Sequence, residues 1–525
     1  MRRSSRRTAG VVGLLALGVL WCAVPSGALP GTAASSNLPV PAAWGPKPSV
    51  SYTSVACAAV GSCTTIGLFA GAHRDQYPAS DVEKAGSWST PTTFALPSNG
   101  ESVTFGLGFR SIACPAQGSC VAVGSYAATG KGIAPMVAVE SGGAWGAATD
   151  PISLPSGTRS AILTGVWCEA VGSCIAVGST FSGGGFFVQD VGGSWQSPID
   201  LPIPSNLAVA KPVTAIPRAI DCTDTTDCVV VGGFQGPSEG SSELGMVDIE
   251  RSGTWTTKVY VGPVIPGYGS ELSVDTVTCT SLESCVGGGT LLTKGNALVP
   301  FAIEDTSGKW GPVTVLPWRF AWPESDGGSL NDVACASASR CVAVGELQGR
   351  SYGNTSGDGG AFPVAYTYAA GHWSPPALIE PPARPSPSGG AVLSAIACPS
   401  LHGCVAVGST TPRASPAVDQ YPYAAVIAPI SAASPPSAPI GLDVGKARGV
   451  FQVLWSMSMP EGGAPIIRFS VTAASPGERR LSCVSVAFSC RLNGVAPHHR
   501  YTISVTATNA VGRSGPAAHG IYLGE

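Results

Sequence analysis

At 525 residues the chain is too long for one ordinary hydrophobic core, so two or more domains are expected. Only 12% of its residues are charged, while 68 are Gly and 45 are Pro; this suits many short strands joined by turns and excludes a long-helix architecture. The net charge of −3 divides into +4 over residues 1–28, −11 over 29–434 and +4 over 435–525, and an acidic main body with no basic stripe excludes a nucleic-acid partner.

The chain opens on four arginines within Met1–Arg7, followed by the apolar run Ala9–Val24 and the small-residue stretch Pro25-Ser26-Gly27-Ala28. This order predicts a cleavable signal peptide over 1–28, with retention as a membrane anchor as the alternative. Cys22 leaves with the signal, and the remaining cysteines of the 17 are even in number, as disulfides in an exported protein require. No later segment is long and apolar enough to span a bilayer, so the mature chain is expected to be secreted or associated with the cell surface, as a monomer.

Seven segments then repeat the form apolar-x-Cys-x5-Cys-apolar-x-apolar-Gly or a close variant. They begin at Val55, Ile112, Val166, Ile220, Val277, Val333 and Ile396, and their first cysteines lie 54 to 63 residues apart. A period of that length fits a four-stranded blade. A short apolar strand ends at the first Cys, a tight turn leads to the second, and a VAVG-type run forms a buried second strand. A third strand follows, as in Pro135–Glu140 or Phe186–Asp190, and a Gly-containing turn delivers a Trp that starts the fourth: Trp88, Trp145, Trp195, Trp255, Trp310 and Trp373.

Each cysteine pair is read as a disulfide across the first hairpin of its unit: Cys57–Cys63, Cys114–Cys120, Cys168–Cys174, Cys222–Cys228, Cys279–Cys285, Cys335–Cys341 and Cys398–Cys404. Metal binding is the competing reading, but each pair lacks a nearby His or second ligand pair, so no metal and no cofactor are implied. The last unit reaches a third strand at Tyr423–Ile427 and stops without a Trp. Ala43-Trp44-Gly45 precedes the first pair and matches Ala144-Trp145-Gly146, so the N-terminal strand is expected to complete the last blade and leave no open edge. The fold class is therefore all-β: a seven-bladed β-propeller over 40–430 with within-blade disulfides and N-terminal strand closure.

The Gly-x-Trp turns, as in Glu140–Trp145 and Asp305–Trp310, resemble degenerate Asp-box hairpins of sialidase-like (BNR) propellers and the related photosystem II assembly factor-like propellers. The Cys-x5-Cys-x-Ala-Val-Gly element resembles secreted bacterial members of the second group. The resemblance implies architecture; Asp-boxes in those proteins are structural and lie away from the substrate pocket.

After a Ser-, Ala- and Pro-rich linker at 431–439, residues 440–525 resemble a fibronectin type III domain, a C-terminal β-sandwich. The matching residues are Pro436-Ser437-Ala438-Pro439, Trp455, Gly462–Ile466, Leu492, Tyr501 and Asn509-Ala510-Val511-Gly512. The resemblance places Trp455 in the core, Tyr501 at a tyrosine corner, and Cys483 with Cys490 in an eighth disulfide.

Binding is expected on the propeller face with long, dissimilar loops, opposite the cysteine hairpins. Trp318, Arg319, Phe320 and Trp322 concentrate aromatics beside a cation, as a sugar-stacking platform or a plug between blades would. His73, Arg74 and Tyr77 form a polar loop; Arg350 and Tyr352 with Asp358, and the pair Tyr421 and Tyr423, are further candidates. Asp224 and Asp227 on one stapled turn are too few for a calcium site. Arg110, Arg159 and Arg218 precede first strands of successive units, near the channel mouth, yet the Arg-Ile-Pro motif of sialidases is absent and no nucleophile–base motif occurs. The expected function is an extracellular recognition scaffold for a glycan or a protein; the alternative is a secreted polysaccharide-active enzyme, a glycosidase or lyase.

Overall fold

A computed structural model describes residues 34–41, 49–70, 76–102, 107–130, 132–154, 158, 160–181, 184–205, 207, 213–236, 243–260, 268–293, 297–318, 325–350, 359–369, 371–379, 381–382, 390–401, 403–411, 421–427, 435–436, 438–456, 466–485, 489–509, 512–515 and 517–523. Among them every regular element is a strand, arranged in nine small antiparallel sheets.

Seven of these sheets follow the sequence repeat. Their inner strands are Ser49–Ala59, Gly108–Ala116, Ala161–Ala170, Thr214–Asp224, Tyr268–Ser281, Ser325–Ser337 and Ala391–Ser400, which define sheets 1 to 7 in that order. Each inner strand turns tightly into a second strand whose apolar residues are buried on both faces; Val121, Ala122 and Val123, for example, are at most 1% exposed. That is why the VAVG-type runs are apolar without alternation. Inner strands of consecutive sheets pack side by side, and that of sheet 7 lies against those of both sheet 6 and sheet 1.

One device recurs in all seven inner strands. The register slips by one residue four positions before the first cysteine, at Thr53, Arg110, Thr164, Arg218, Asp275, Asn331 and Ser394. Such a β-bulge leaves one residue unpaired and bends the strand. The bend drives a backbone carbonyl of the inner strand into the second strand, where only glycine fits. A Cβ on Gly124 would sit 2.0 Å from the Gly108 carbonyl oxygen, and Gly67, Gly178, Gly232, Gly289, Gly345 and Gly408 face the same contact at 1.9–2.1 Å. These are the glycines that close each repeat.

The seven expected hairpin disulfides are present, with Cα atoms 3.9–4.1 Å apart. Closing so short a loop contributes about 2 kcal/mol per bridge in the chain-entropy model. The Trp-bearing fourth strand is broken in most sheets: Ser87–Trp88 pairs beside the Gly turn, and Thr92–Thr93 pairs further along the same third strand. Sheet 4 alone carries it unbroken, as Thr254–Tyr260.

Sheet 7 takes its fourth strand from the start of the described chain. Ala34–Asn37 pairs with Tyr421–Ile427, Ala34 opposite Val426 and Asn37 opposite Tyr423. Leu38 N–H then donates to the Pro422 carbonyl at 3.1 Å, the bond that Phe94, Leu201, Leu316 and Ile379 make at the same place in sheets 1, 3, 5 and 6. The expected strand at Ala43-Trp44-Gly45 lies outside the described residues; the pairing segment is upstream of it and of the boundary expected at 40. Its sequence signal is Leu38-Pro39-Val40-Pro41, which matches Leu201-Pro202-Ile203-Pro204.

The remaining two sheets are Ile440–Ala447, Val450–Ser456 and Ser489–Asn493, and Leu481–Ser485, Ile466–Ala474, Arg500–Asn509 and Ala517–Leu523. They share one core around Phe451, Trp455, Phe469 and Tyr501, and the Cys483–Cys490 disulfide joins one sheet to the other. The Tyr501 hydroxyl accepts the Ala496 N–H at 3.0 Å, fixing the turn before its strand.

Two stability outcomes follow from this geometry. Gly124→Ala should cost at least about 2 kcal/mol in chemical denaturation, whereas Gly403→Ala, which meets nothing within 4 Å, should be near neutral; equal effects would contradict the bulge account. Leu38→Ala, at a side chain only 3% exposed, should cost about 2–4 kcal/mol, as Leu316→Ala should; no loss of stability would mean that the N-terminal strand is not docked.

Candidate functional site

The seven bulged residues are all polar, and all seven line a single cavity of about 440 Å³. Its wall starts at this belt and runs along each inner strand towards the cysteine turn, ending at Cys57, Pro115 and Cys168. No lining residue comes from before the belt. Trp167, half-buried, is the one aromatic side chain among the lining residues, at the hairpin end.

Inner strands of neighbouring sheets do not share a backbone ladder, so side chains tie them together. Thr53 donates to the Phe109 carbonyl at 2.9 Å, Thr164 to the Pro217 carbonyl at 2.8 Å, and Asn331 to the Leu393 carbonyl at 2.9 Å. Each bond runs from one sheet to the next. Ser111 accepts the Val166 N–H at 3.2 Å. Asp221 accepts Cys222 N–H at 3.0 Å and Cys279 N–H at 2.7 Å. Asp332 reaches three sheets, accepting the Thr276 hydroxyl at 2.6 Å, Val333 N–H at 2.8 Å and Ile396 N–H at 2.8 Å.

Charge in the belt is concentrated in sheets 2, 4 and 5. Arg218 pairs with Glu243 at 3.0 Å and with Asp275 at 3.2 Å, and Ser273 donates to Asp275 at 2.6 Å. Burial works against the Arg218 cation, but Asp275 and Glu243 outweigh it and hold the guanidinium above its ordinary range. Arg110 is exposed to the cavity; burial, and then the like charge of Arg218, lower its pKa. Burial pushes Asp221 up to about 7, against its backbone hydrogen bonds. It pushes Asp275 up to about 6 despite Arg218, and Asp332 up to about 6 despite Thr276 and two N–H donors.

Of the sequence-based candidates, Arg110 and Arg218 meet in the cavity. His73, Arg74, Arg159, Arg319, Phe320, Trp322, Tyr352 and Asp358 lie outside the described residues, as does the side chain of Arg350. Trp318 is half-buried and packs against two neighbouring apolar clusters, one containing Leu272 and Phe301, the other Leu316 and Leu330. Tyr77 is 43% exposed and stacks beside Phe69. Tyr421 is half-buried in its strand, while Tyr423 is fully buried and donates to the Val392 carbonyl at 3.1 Å. Asp224 caps its own turn by accepting Thr226 N–H at 2.7 Å, and Asp227 accepts Ser252 N–H at 2.9 Å. Among the described residues no group of three or more His, Cys, Asp or Glu is placed to hold a metal ion. Thr53, Thr164, Trp167, Asp275, Asn331 and Ser394 were not singled out from sequence. Apart from Trp167, which sits beside Cys168, their signal is alignment: four residues before the first Cys, every repeat has a polar residue.

No protein-family model and no curated protein matches the chain. Among solved structures, a protein of unknown function from Dyadobacter fermentans DSM 18053 is 12% identical, with TM-score 0.41 over 75% of this chain and 97% of that one. A subtype N11 neuraminidase-like protein of A/flat-faced bat/Peru/033/2010 (H18N11) is 10% identical, TM-score 0.36, over 66% and 95%. The α-L-arabinofuranosidase Arb93A from Fusarium graminearum is 12% identical, TM-score 0.28, over 53% and 96%. Likenesses this slight assign neither ligand nor activity to the chain.

Raised carboxyl groups set the sign of the acid response. Free carboxyls titrate near 4 in the unfolded chain, whereas folded Asp221, Asp275 and Asp332 titrate near 7, 6 and 6, and fully buried Asp248 near 7. The folded state therefore binds extra protons between these values, and the stability this confers is complete below about pH 4 and is lost as pH rises through 6 to 7. The melting temperature should rise on acidification from pH 8 to pH 5. Asp248→Asn should raise it at pH 8, by on the order of 2–4 kcal/mol of stability, and much less at pH 5. A melting temperature that falls steadily from pH 8 to pH 5 would contradict this.

Proposed function

We propose that the chain is an extracellular binding module. In this reading a signal peptide over 1–28 precedes a seven-bladed β-propeller, expected from 40 to 430 and extended back to the strand at Ala34. A linker at 431–439 and a fibronectin type III-like domain over 440–525 complete it. Seven repeat-derived sheets, inner strands that neighbour one another with sheet 7 beside sheet 1, and a seventh sheet completed from the N-terminal side support the propeller. Eight disulfides support an oxidising, extracellular setting. The tyrosine-corner bond and the two-sheet core around Trp455 support the fibronectin-like assignment.

The ligand is a polar group of an extracellular glycan or protein, held in the cavity by a monomeric chain. One observation carries this reading: seven equivalent bulges aim polar side chains into one space, where Arg110 is exposed and Trp167 offers an aromatic wall. Polysaccharide hydrolysis or cleavage is the second reading, since three carboxylates line the same space. It is the weaker one. Both oxygens of Asp221 and of Asp332 already accept hydrogen bonds, at least one on each residue from a neighbouring sheet, and Asp275 is ion-paired.

A panel of glycans and peptides presented to the full-length secreted chain tests the proposal. Arg110→Ala and Trp167→Ala should each weaken the binding found by at least about tenfold, or ~1.4 kcal/mol. Trp318→Ala should cost stability, roughly 2 kcal/mol, while leaving affinity alone. Binding insensitive to both cavity substitutions would remove the cavity from the function. Turnover of any glycan, lost in Asp275→Asn, would favour the enzyme.

A further inference from the structure

We infer that the outer face of the four-stranded sheet in the C-terminal domain is a second binding surface, and that it takes an acidic polysaccharide laid along its strands. The surface lies outside the cavity, so the inference goes beyond the function proposed there and does not depend on it.

The face follows from alternation along two central strands, Ile466–Ala474 and Arg500–Asn509. Phe469, Val471, Tyr501, Ile503 and Val505 point into the core and are at most 1% exposed. The residues between them point the other way. Register sets these outward residues in rows: Arg468 beside Thr508, Ser470 beside Thr506, and Thr472 beside Ser504. Ser482 of the edge strand extends the row of Thr472, and Arg500 stands at the far end of the face beside Leu523. Among the described residues none of the outward positions is acidic.

Hydroxyl and guanidinium groups share that surface. The Thr472 and Ser504 hydroxyls hydrogen-bond each other at 2.9 Å, and Arg480, at the turn into the edge strand, donates to Thr472 Oγ1 at 3.2 Å. That bond draws the Arg480 guanidinium over the hydroxyl row while using one of its five donors. Along the strand, the distance from Thr508, beside Arg468, to Arg500 is about 27 Å. Cations therefore stand at both ends of the face, with serine and threonine between them.

The occupant follows from what this face offers and what it lacks. Protein interfaces are anchored by buried aromatic or apolar side chains, and neutral sugars stack on rings. Among its described residues the face has no aromatic side chain, and its large apolar ones, Val484 and Leu523, stand on opposite edge strands. A membrane surface would require apolar insertion as well as charge, which two separated side chains do not supply. Guanidinium groups pair with carboxylate or sulfate through charge-assisted bonds, and serine and threonine both donate to and accept from the hydroxyls of a sugar chain. An extended polyanion along the strands meets positive charge at each end and hydroxyls between. The net charge is +4 over residues 435–525 against −11 over 29–434, which draws a polyanion to this domain and away from the seven repeats.

The test uses the full-length secreted chain, with binding to polygalacturonate, dextran sulfate and neutral dextran followed by calorimetry, and vesicles of phosphatidylglycerol as a further probe. Wild-type chain should bind polygalacturonate or dextran sulfate at least about tenfold more tightly than dextran, the two polyanions separating carboxylate from sulfate as the group received. Combined Arg468→Ala, Arg480→Ala and Arg500→Ala should weaken that binding at least about tenfold, and Thr502→Glu, which removes no cation, at least about threefold. Combined Lys446→Ala, Arg448→Ala and Arg491→Ala removes the same charge from exposed positions on the other sheet and its turn, and should change affinity less than about twofold. All variants should keep the wild-type circular dichroism spectrum, since every altered side chain is exposed. Dextran bound as tightly as the polyanions, affinity retained in the first triple variant, or an equal loss in the second overturns the inference. Binding to the vesicles with none to either polyanion overturns it in favour of a membrane surface.

Discussion

The rest of the structure depends on a clash that only glycine avoids. In each of seven sheets the inner strand slips by one residue four places before its first cysteine, and the slack there is taken up by pressing a carbonyl oxygen to within about 2 Å of where a Cβ would sit. The same slip frees one side chain from the pleat. A single backbone irregularity therefore explains both the glycine that closes every repeat and the polar residue four places before every first cysteine. Stapling each hairpin directly beyond the bulge, at Cα separations near 4 Å, limits how far the strand can slide to escape the clash.

Several of the freed polar residues tie neighbouring sheets together. Thr53, Thr164 and Asn331 spend their donors on the neighbouring sheet, as Asp221 and Asp332 spend their oxygens, because inner strands meet without a backbone ladder. Arg218 ties sheets as well, through its ion pair with Asp275 of the next sheet, and both Arg110 and Arg218 line the cavity. Burial raises the carboxyl groups of Asp221, Asp275 and Asp332 in the cavity wall, so the protonation that eases their desolvation also shifts the cavity towards positive charge.

Much of this architecture is legible in the chain. The spacing of seven cysteine pairs, the apolar VAVG runs and the Gly-x-Trp turns specify sheet number, hairpin disulfides and strand order, because each reflects a local rule of pleat, turn or burial. The strand that completes the last sheet was harder to read. Trp44 stands out in the sequence by its ring but lies outside the described residues; among the described ones Leu38 docks, through one backbone bond to Pro422 and a buried side chain. The Leu-Pro signature of that position is weaker than a tryptophan and shows only when all the fourth strands are aligned. The candidate site was half legible for a similar reason. Arg110 and Arg218 stand out as charges, but Thr164, Asn331 and Ser394 look like ordinary strand residues until the bulge gives them a common direction. Trp167 was hidden in the repeat itself, beside a cysteine. Trp318, conspicuous beside Arg319 and Phe320, proves to fill space between two sheets.

Whether the inner strands encircle one cavity can be measured without knowing the ligand. Paired spin labels at hairpin tips, introduced through Val60→Cys with Gln117→Cys and through Val60→Cys with Leu401→Cys, report the distance from sheet 1 to sheet 2 and from sheet 1 to sheet 7. A ring in which sheet 7 adjoins sheet 1 predicts the same short distance for both pairs by double electron–electron resonance. A distance from Val60 to Leu401 several times that from Val60 to Gln117, as an open array would give, would contradict it.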